Sequence, residues 1–447
     1  MLEQAFMRIL LKQGLPASCE PPKLVMSIKT LQHPSWLMCD AMTNLSTRMK
    51  DTPSQAGAEQ NRLPVGQLLA FTVAGFLAIM TENMPAGLLP QIGSGLGVSE
   101  AMAGQTVTLY ALGSVTAAIP VIAATRSWNR RPLFLLAIVG LLLFNTLTAI
   151  SAHYVLTLAA RFIAGMSAGV VWGLVAGYAR RLAPTHLQGR ALAIVGIGQP
   201  IALSLGVPLG AWLGGLFDWR SIFWIMSAVA LLLLAWVRLG VPDFPGQEQH
   251  LRLPVRKVFV IPGIRPVLFV LFAWILAHNI LYTYVASYIG ATGTNLRVGI
   301  ILLVFGVSSV AGIWGTGLLV DRYLRRMTLI SLIAFAAATL LMAISHDSAP
   351  LVLIGVMVWG LTFGGAPTLL QTALADSAGE HADVAQSVLV TIFNLAVAGG
   401  GLFGGLVIDG LGADWLPVAL LPLIVTALVA AWLAKATGFR AEHRGRG

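Results

Sequence analysis

Residues 317–326 read Gly317-Leu318-Leu319-Val320-Asp321-Arg322-Tyr323-Leu324-Arg325-Arg326, and the runs on either side, roughly 298–320 and 327–345, carry no charged residue. About 20 apolar residues are what a helix needs to cross ~30 Å of hydrocarbon. Two such runs separated by four charges read as two membrane helices joined on one side of a bilayer. A barrel strand is excluded, because it would alternate apolar and polar positions over about ten residues.

The same reading extends outward to twelve segments, roughly 63–92, 105–125, 132–151, 154–179, 191–216, 221–239, 263–290, 298–320, 327–345, 350–374, 384–408 and 415–435. Composition agrees. Of 447 residues 57% are apolar and 10% charged, against about 25% charged in a soluble domain, and the mean hydropathy is +0.81. The net charge of +10 does not point to nucleic acid, because the arginines sit in short clusters between apolar runs. The fold class is an all-α integral membrane protein.

The breaks sort by charge. Arg126, Arg130, Arg131, Arg180, Arg181, Arg190, Arg238, Arg252, Arg256, Lys257, Arg265, Arg322, Arg325, Arg326, Lys435, Arg440, Arg444 and Arg446 fall on one side, and only Arg220 and Arg297 on the other. Positive residues stay inside, so both termini are expected in the cytoplasm of a multi-pass protein. The loop at 375–383 dissents, with Asp376, Glu380 and Asp383 and no Lys or Arg, but acids weigh little in that rule.

The domain reading follows. Residues 1–61 form a polar tail holding Cys19 and Cys39, read as a disordered cytoplasmic segment or as sequence upstream of a start at Met49. Residues 62–239 make a first six-helix bundle, 240–262 a cytoplasmic linker with Pro242, Pro245 and Pro254, 263–435 a second bundle and 436–447 a short tail. The halves match at a shift of 196 residues: Arg126 and Arg130 fall on Arg322 and Arg326, Asp218-Trp219 on Asp414-Trp415, and Asn83 on Asn279. Two related bundles with a pseudo-two-fold repeat are the pattern of a transporter that holds its substrate between them.

The quoted stretch resembles the G-x-L-a-D-R-x-G-R-R signature of the major facilitator superfamily, with Leu324 where the second Gly usually stands. The equivalent break, Thr125-Arg126-Ser127-Trp128-Asn129-Arg130-Arg131, keeps the bases and lacks the acid. The resemblance implies a conformational latch at Asp321, Arg322, Arg325 and Arg326, with Arg126 and Arg130 as its first-half counterpart. Arg161 followed by Gly165, Gly169, Gly173 and Gly177 is similar to the family's fourth-helix motif, and Gly206-Val207-Pro208-Leu209-Gly210 with Gly214 looks like the fifth-helix motif of its antiporter branch. Glycines at such spacing also let helices pack closely in any bundle. Thr81-Glu82-Asn83, Leu281-Tyr282-Thr283-Tyr284 and Gly364-Gly365-Ala366-Pro367 resemble the 12-helix drug:proton antiporters, most of all the arabinose-efflux and purine-nucleoside-efflux group. What this implies is proton-coupled efflux of a sugar, nucleoside or drug-like molecule. A facilitator or proton symporter importing a solute would share most of these motifs, whereas an enzyme or receptor would need a catalytic cluster or an extramembrane domain.

Within the segments, Glu82 is the one acid and Arg161 the one base placed well inside a span. Burying a lone charge there costs at least ~2.5–3.5 kcal/mol. At 1.5 Å per residue the two lie at similar depths, roughly 12 and 10 Å from the same face, so they either pair or face one polar cavity. A carboxyl out of water binds its proton more readily and a nearby guanidinium opposes this, which suits a proton carrier. His278 occupies the place of Glu82 in the second half, and it completes the expected proton-coupling set of Glu82, Arg161 and His278. Asn83, Tyr110, Trp172, Gln199, Asn279, Tyr282, Tyr284, Gln371 and Asn394 are polar or aromatic groups in otherwise apolar helices, candidates for a cavity that stacks and hydrogen-bonds a neutral ligand. Gly93-Ser94-Gly95-Leu96-Gly97 lacks the strand–turn–helix context and the Lys of a phosphate loop. No metal site, cofactor or nucleic-acid partner is expected; the energy source is the proton gradient. The partners are the lipid bilayer, a small molecule and protons, in a monomer of the bacterial inner membrane.

Overall fold

The computed structural model describes residues 63–118, 120–125, 127–246, 259–345 and 347–439. The tail 1–61, Arg126 and most of the linker lie outside them. The principal helices are α1 (Val65–Asn83), α2 (Glu100–Ala118), α3 (Arg130–Ile150), α4 (Tyr154–Leu182), α5 (Gln188–Leu216), α6 (Trp219–Gly240), α7 (Ile264–Thr283), α8 (Val298–Ile344), α9 (Ala349–Ala378), α10 (Ala382–Leu411) and α11 (Leu416–Leu433). Ten helices among the described residues are long and apolar enough to cross a membrane. α2 is not one of these. It carries Gln105, Thr106, Thr108, Ser114 and Thr116 because it is packed between α4 and α10.

α8 holds the two expected spans, roughly 298–320 and 327–345, in one continuous element. Its 47 residues are about twice what a bilayer core needs, and they form two helices. Phe305 of the first arm lies against Gly360 and Met342 of the second against Gly355, so both arms pack side by side on α9. They meet at Tyr323, the one residue with non-helical angles (φ −129°, ψ 26°). The chain therefore reverses within the motif, with Tyr323 as the break between the arms. Counting both arms of α8, and α2 as a further segment, is consistent with twelve.

Prolines break other spans. Pro85 ends α1 in a 3₁₀ turn, Met84–Gly87, before a short helix, Leu89–Leu96. α5 contains a π turn, Ala202–Gly206, just before Pro208, where the missing N–H disturbs the α ladder.

The halves touch through α2 with α10 and through α5 with α8. Thr108 Oγ1 donates to the Ala398 carbonyl at 3.1 Å, and Gln105 Nε2 to that of Gly401 at 3.3 Å. Gly306 lies against the backbone of Ser204, and Gly87 beside Leu302. All these residues fall in the part of each helix remote from the arginine-rich breaks. The halves therefore meet at the end opposite the arginines.

Candidate functional site

The polar interior of the first half is built around α1. Glu82 is 8% exposed and Arg161 fully buried, and the two lie within electrostatic reach. They form no direct ion pair. Arg161 instead donates from Nη2 to the Thr81 carbonyl at 2.6 Å and from Nε to that of Thr106 at 3.3 Å. Its guanidinium carbon stands 4.6 Å from the Tyr110 ring centre and 5.7 Å from that of Phe223. The Tyr110 hydroxyl is committed to the Ala78 carbonyl at 2.9 Å. Asn145, fully buried on α3, donates to Thr81 Oγ1 at 3.1 Å. Sequence reading missed Asn145, although it is an amide in an apolar run and so carried the signal used for the other candidates.

The second half places His278 in an aromatic cluster. Trp359 Nε1 donates to His278 Nδ1 at 3.1 Å. Phe363 stacks on the imidazole, with ring centres 3.3 Å apart, while Phe305 and Tyr282 pack around it. The Tyr282 hydroxyl is buried and meets no hydrogen-bond partner among the described residues. Trp359 was missed although it carries the signal that singled out Trp172, while Phe305 and Phe363 have no polar atom to set them apart from ordinary packing residues.

The other candidates divide. Asn83, Asn279 and Asn394 each donate to the carbonyl four residues earlier in their own helix. Tyr284 is spent on contacts between helices: its hydroxyl donates to the Gly401 carbonyl at 2.7 Å and lies 3.2 Å from that of Ala101. Trp172 lies against Gly75, Gln199 is half-buried and Gln371 is exposed. The structure thus brings together Glu82, Arg161 and Tyr110 in one group and His278 and Tyr282 in another.

The Major Facilitator Superfamily family model matches residues 71–317 and 297–446. The chain belongs to that superfamily. It is 30% identical over 382 residues to a Pseudomonas aeruginosa protein named transcription regulatory protein OpdE, covering 82% of this chain and 92% of that one. It is 28% identical over 350 residues to the purine ribonucleoside efflux pump NepI of Escherichia coli K12, covering 76% and 86%. A crystal structure of a D-xylose–proton symporter shares the fold, with a TM-score of 0.70 at 15% identity over 85% of this chain and 98% of the other. The human organic anion transporter MFSD10 does so at 0.61 and 17%, over 83% and 100%. As a member of the superfamily, the chain is a multi-pass membrane transporter of small molecules and not an enzyme.

The superfamily motifs take specific places in the structure. Arg325 ties the break in α8 to the end of α11, donating to the carbonyls of Ala431 (2.9 Å), Trp432 (2.8 Å) and Phe439 (3.2 Å). Arg322 is exposed, Arg326 stacks on Tyr323 at 5.8 Å, and both Asp321 and Arg326 are engaged. In the first half the missing acid comes from elsewhere. Asp243, just past α6, accepts from Asn129 Nδ2 at 2.8 Å and from the Arg131 N–H at 3.0 Å. The Arg130 N–H donates to the Phe244 carbonyl at 2.9 Å, and Tyr178 Oη to that of Pro242 at 2.8 Å.

Gly165 and Gly169 lie against the carbonyls of Tyr110 and Ser114, bringing α4 onto α2. Gly360 and Gly364 meet those of Phe305 and Ser309 in the same way, bringing α9 onto α8. The packing repeats at a shift of 195, one residue from that of the loops. Gly206 and Gly210 rest on the sulfurs of Met80 and Met84, and Gly214 on Leu88, so α5 packs against the broken end of α1, with Pro208 buried.

Proposed function

We propose that this transporter is a proton-coupled exporter of a small, neutral organic molecule, a nucleoside or one of similar size and polarity, and that Glu82 carries the proton. The carrying observation is the isolation of Glu82: a buried carboxyl at the break in α1 that has no direct ion pair among the described residues. Buried acids in membrane proteins mark ion or substrate routes. His278 suits the carrier role less well, since its Nδ1 is already an acceptor for Trp359. The efflux pump at 28% identity and the glycine- and proline-rich α5 support export over import.

The arginine-rich end is the cytoplasmic one by the positive-inside rule, in the inner membrane of a bacterium. The halves meet at the other end, so this conformation opens to the cytoplasm, where an exporter loads. The test is uptake into everted vesicles with an imposed pH gradient, using purine ribonucleosides, pentoses and cationic dyes. Accumulation of one class when the lumen is acid supports the reading. Accumulation only when the lumen is alkaline would replace export with symport.

A further inference from the structure

Thr81 lies in the last turn of α1, and in an unbroken helix its carbonyl would accept from the N–H of residue 85. That residue is Pro85, which has no N–H. The carbonyl is therefore left without its helical donor in a buried place, where an unmet polar group is costly. Arg161 Nη2 supplies the donor, at 2.6 Å. The rest of the guanidinium holds that donor in position. Nε is anchored on Thr106, the plane rests on Tyr110, and Nη1 meets no acceptor among the described residues. That is not the geometry of a bidentate partner for a carboxylate.

The repeat provides an internal control. Leu281 in α7 corresponds to Pro85, and Ala277 to Thr81. Helix α7 runs unbroken through both, so the Leu281 N–H serves the Ala277 carbonyl. The residue corresponding to Arg161 is Met357 at a shift of 196, or Val356 at 195, both apolar. At the corresponding place the half that keeps its N–H has an apolar side chain, and the half that lost it has the fully buried guanidinium of Arg161.

We infer that Arg161 is a positioning residue that stands in for the missing N–H of residue 85, fixing the break in α1 and with it the direction of the adjacent Glu82. The consequence for Glu82 rests on the proposal that it carries the proton; the hydrogen-bond replacement does not.

The test restores the N–H. Arg161→Met, Pro85→Ala and the double variant are purified and compared for thermal stability, folded yield and gradient-driven transport. Arg161→Met alone should lower Tm by about 5 °C or more, or abolish folded yield. It should cut kcat at least about tenfold while KM stays within about twofold. Pro85→Ala alone should fold. The double variant should recover most of the lost Tm or yield, and part of kcat, and Arg161→Lys, which keeps one donor, should lie in between. A double variant no better than Arg161→Met in Tm and yield would overturn the inference. If Tm is rescued but transport in Glu82→Gln equals wild type, the proton-carrier reading fails and the replacement of the N–H stands.

Discussion

The Tyr284 hydroxyl reaches from the second half to the Ala101 carbonyl of the first at 3.2 Å while donating to Gly401 at 2.7 Å. It sits where the halves meet. Any conformation that opens this end must separate Tyr284 from Ala101.

Tyr284→Phe removes the hydroxyl and keeps the ring. The one hydroxyl proton is shared between Gly401, in the same half, and Ala101 across the junction. Only part of the about 1 kcal/mol of a buried hydrogen bond therefore opposes opening, and the population open at this end should rise about twofold to threefold. A cysteine replacing the buried Leu302, in a background lacking Cys19 and Cys39, reports this opening. Its labelling by an impermeant maleimide from the arginine-poor side should quicken by that factor. An unchanged rate would show that the hydroxyl does not hold the end closed.

The fold was legible because hydrocarbon imposes long apolar runs and charge imposes orientation, and both are local properties of sequence. The site was legible only in part. Glu82 and Arg161 stand out as lone charges in apolar helices, yet their relation to one another does not. What Arg161 touches depends on a proline 76 positions away that removes one N–H. Asp243 was equally hidden, since a linker acid gains meaning only when the chain folds it back onto Asn129 and Arg131. The break at Tyr323 was legible, since the four charges at 321–326 mark it in the sequence.

Asp243 supplies to the first half the acid that its loop motif lacks. It caps the start of α3, where a carboxylate meets unpaired N–H groups and the positive end of the helix. Asp243→Ala should cost about 1–2 kcal/mol and should speed cleavage by added protease near 241–246. Asp243→Asn keeps an acceptor and should show about half the effect. Equal cleavage in all three proteins would mean that the strap holds without Asp243.

Glu82→Gln preserves size and removes the charge change. It should abolish gradient-driven accumulation in everted vesicles while leaving substrate binding and passive exchange in place. Binding is read by substrate-induced thermal stabilisation of purified protein, which grows with ligand concentration over Kd. Wild-type accumulation in this variant would remove Glu82 from the proton path.

The glycines of α4 should not behave alike. A Cβ at Gly169 would meet the Ser114 carbonyl oxygen at 2.5 Å, closer than atoms approach, whereas one at Gly177 would meet nothing within 4 Å. Gly169→Ala should therefore lower Tm and folded yield, with Gly169→Leu preventing assembly. Gly177→Ala should be neutral or stabilising by up to about 1 kcal/mol, the difference in helix propensity. Similar losses at both positions would mean that the α2–α4 contact does not decide the outcome.

The Trp359–His278 hydrogen bond separates two roles for the histidine. An Nδ1 that accepts the indole N–H at 3.1 Å carries no proton itself, and protonating it would set two N–H groups face to face. Transport by this path would have to break the bond and disturb the stacking with Phe363 and Phe305 in each cycle. The structural role asks only for an acceptor at that place. His278→Asn keeps an acceptor oxygen near the same position and should retain the response to the pH gradient, with any loss appearing in KM. His278→Leu strands the Trp359 N–H in a buried site, at a cost of about 1–3 kcal/mol, and should lower Tm clearly more than His278→Asn does. Trp359→Phe removes the donor and should leave gradient coupling in place with a smaller loss of Tm. If His278→Asn folds and binds substrate but no longer responds to the gradient, the histidine is part of the proton path and Glu82 does not carry it alone.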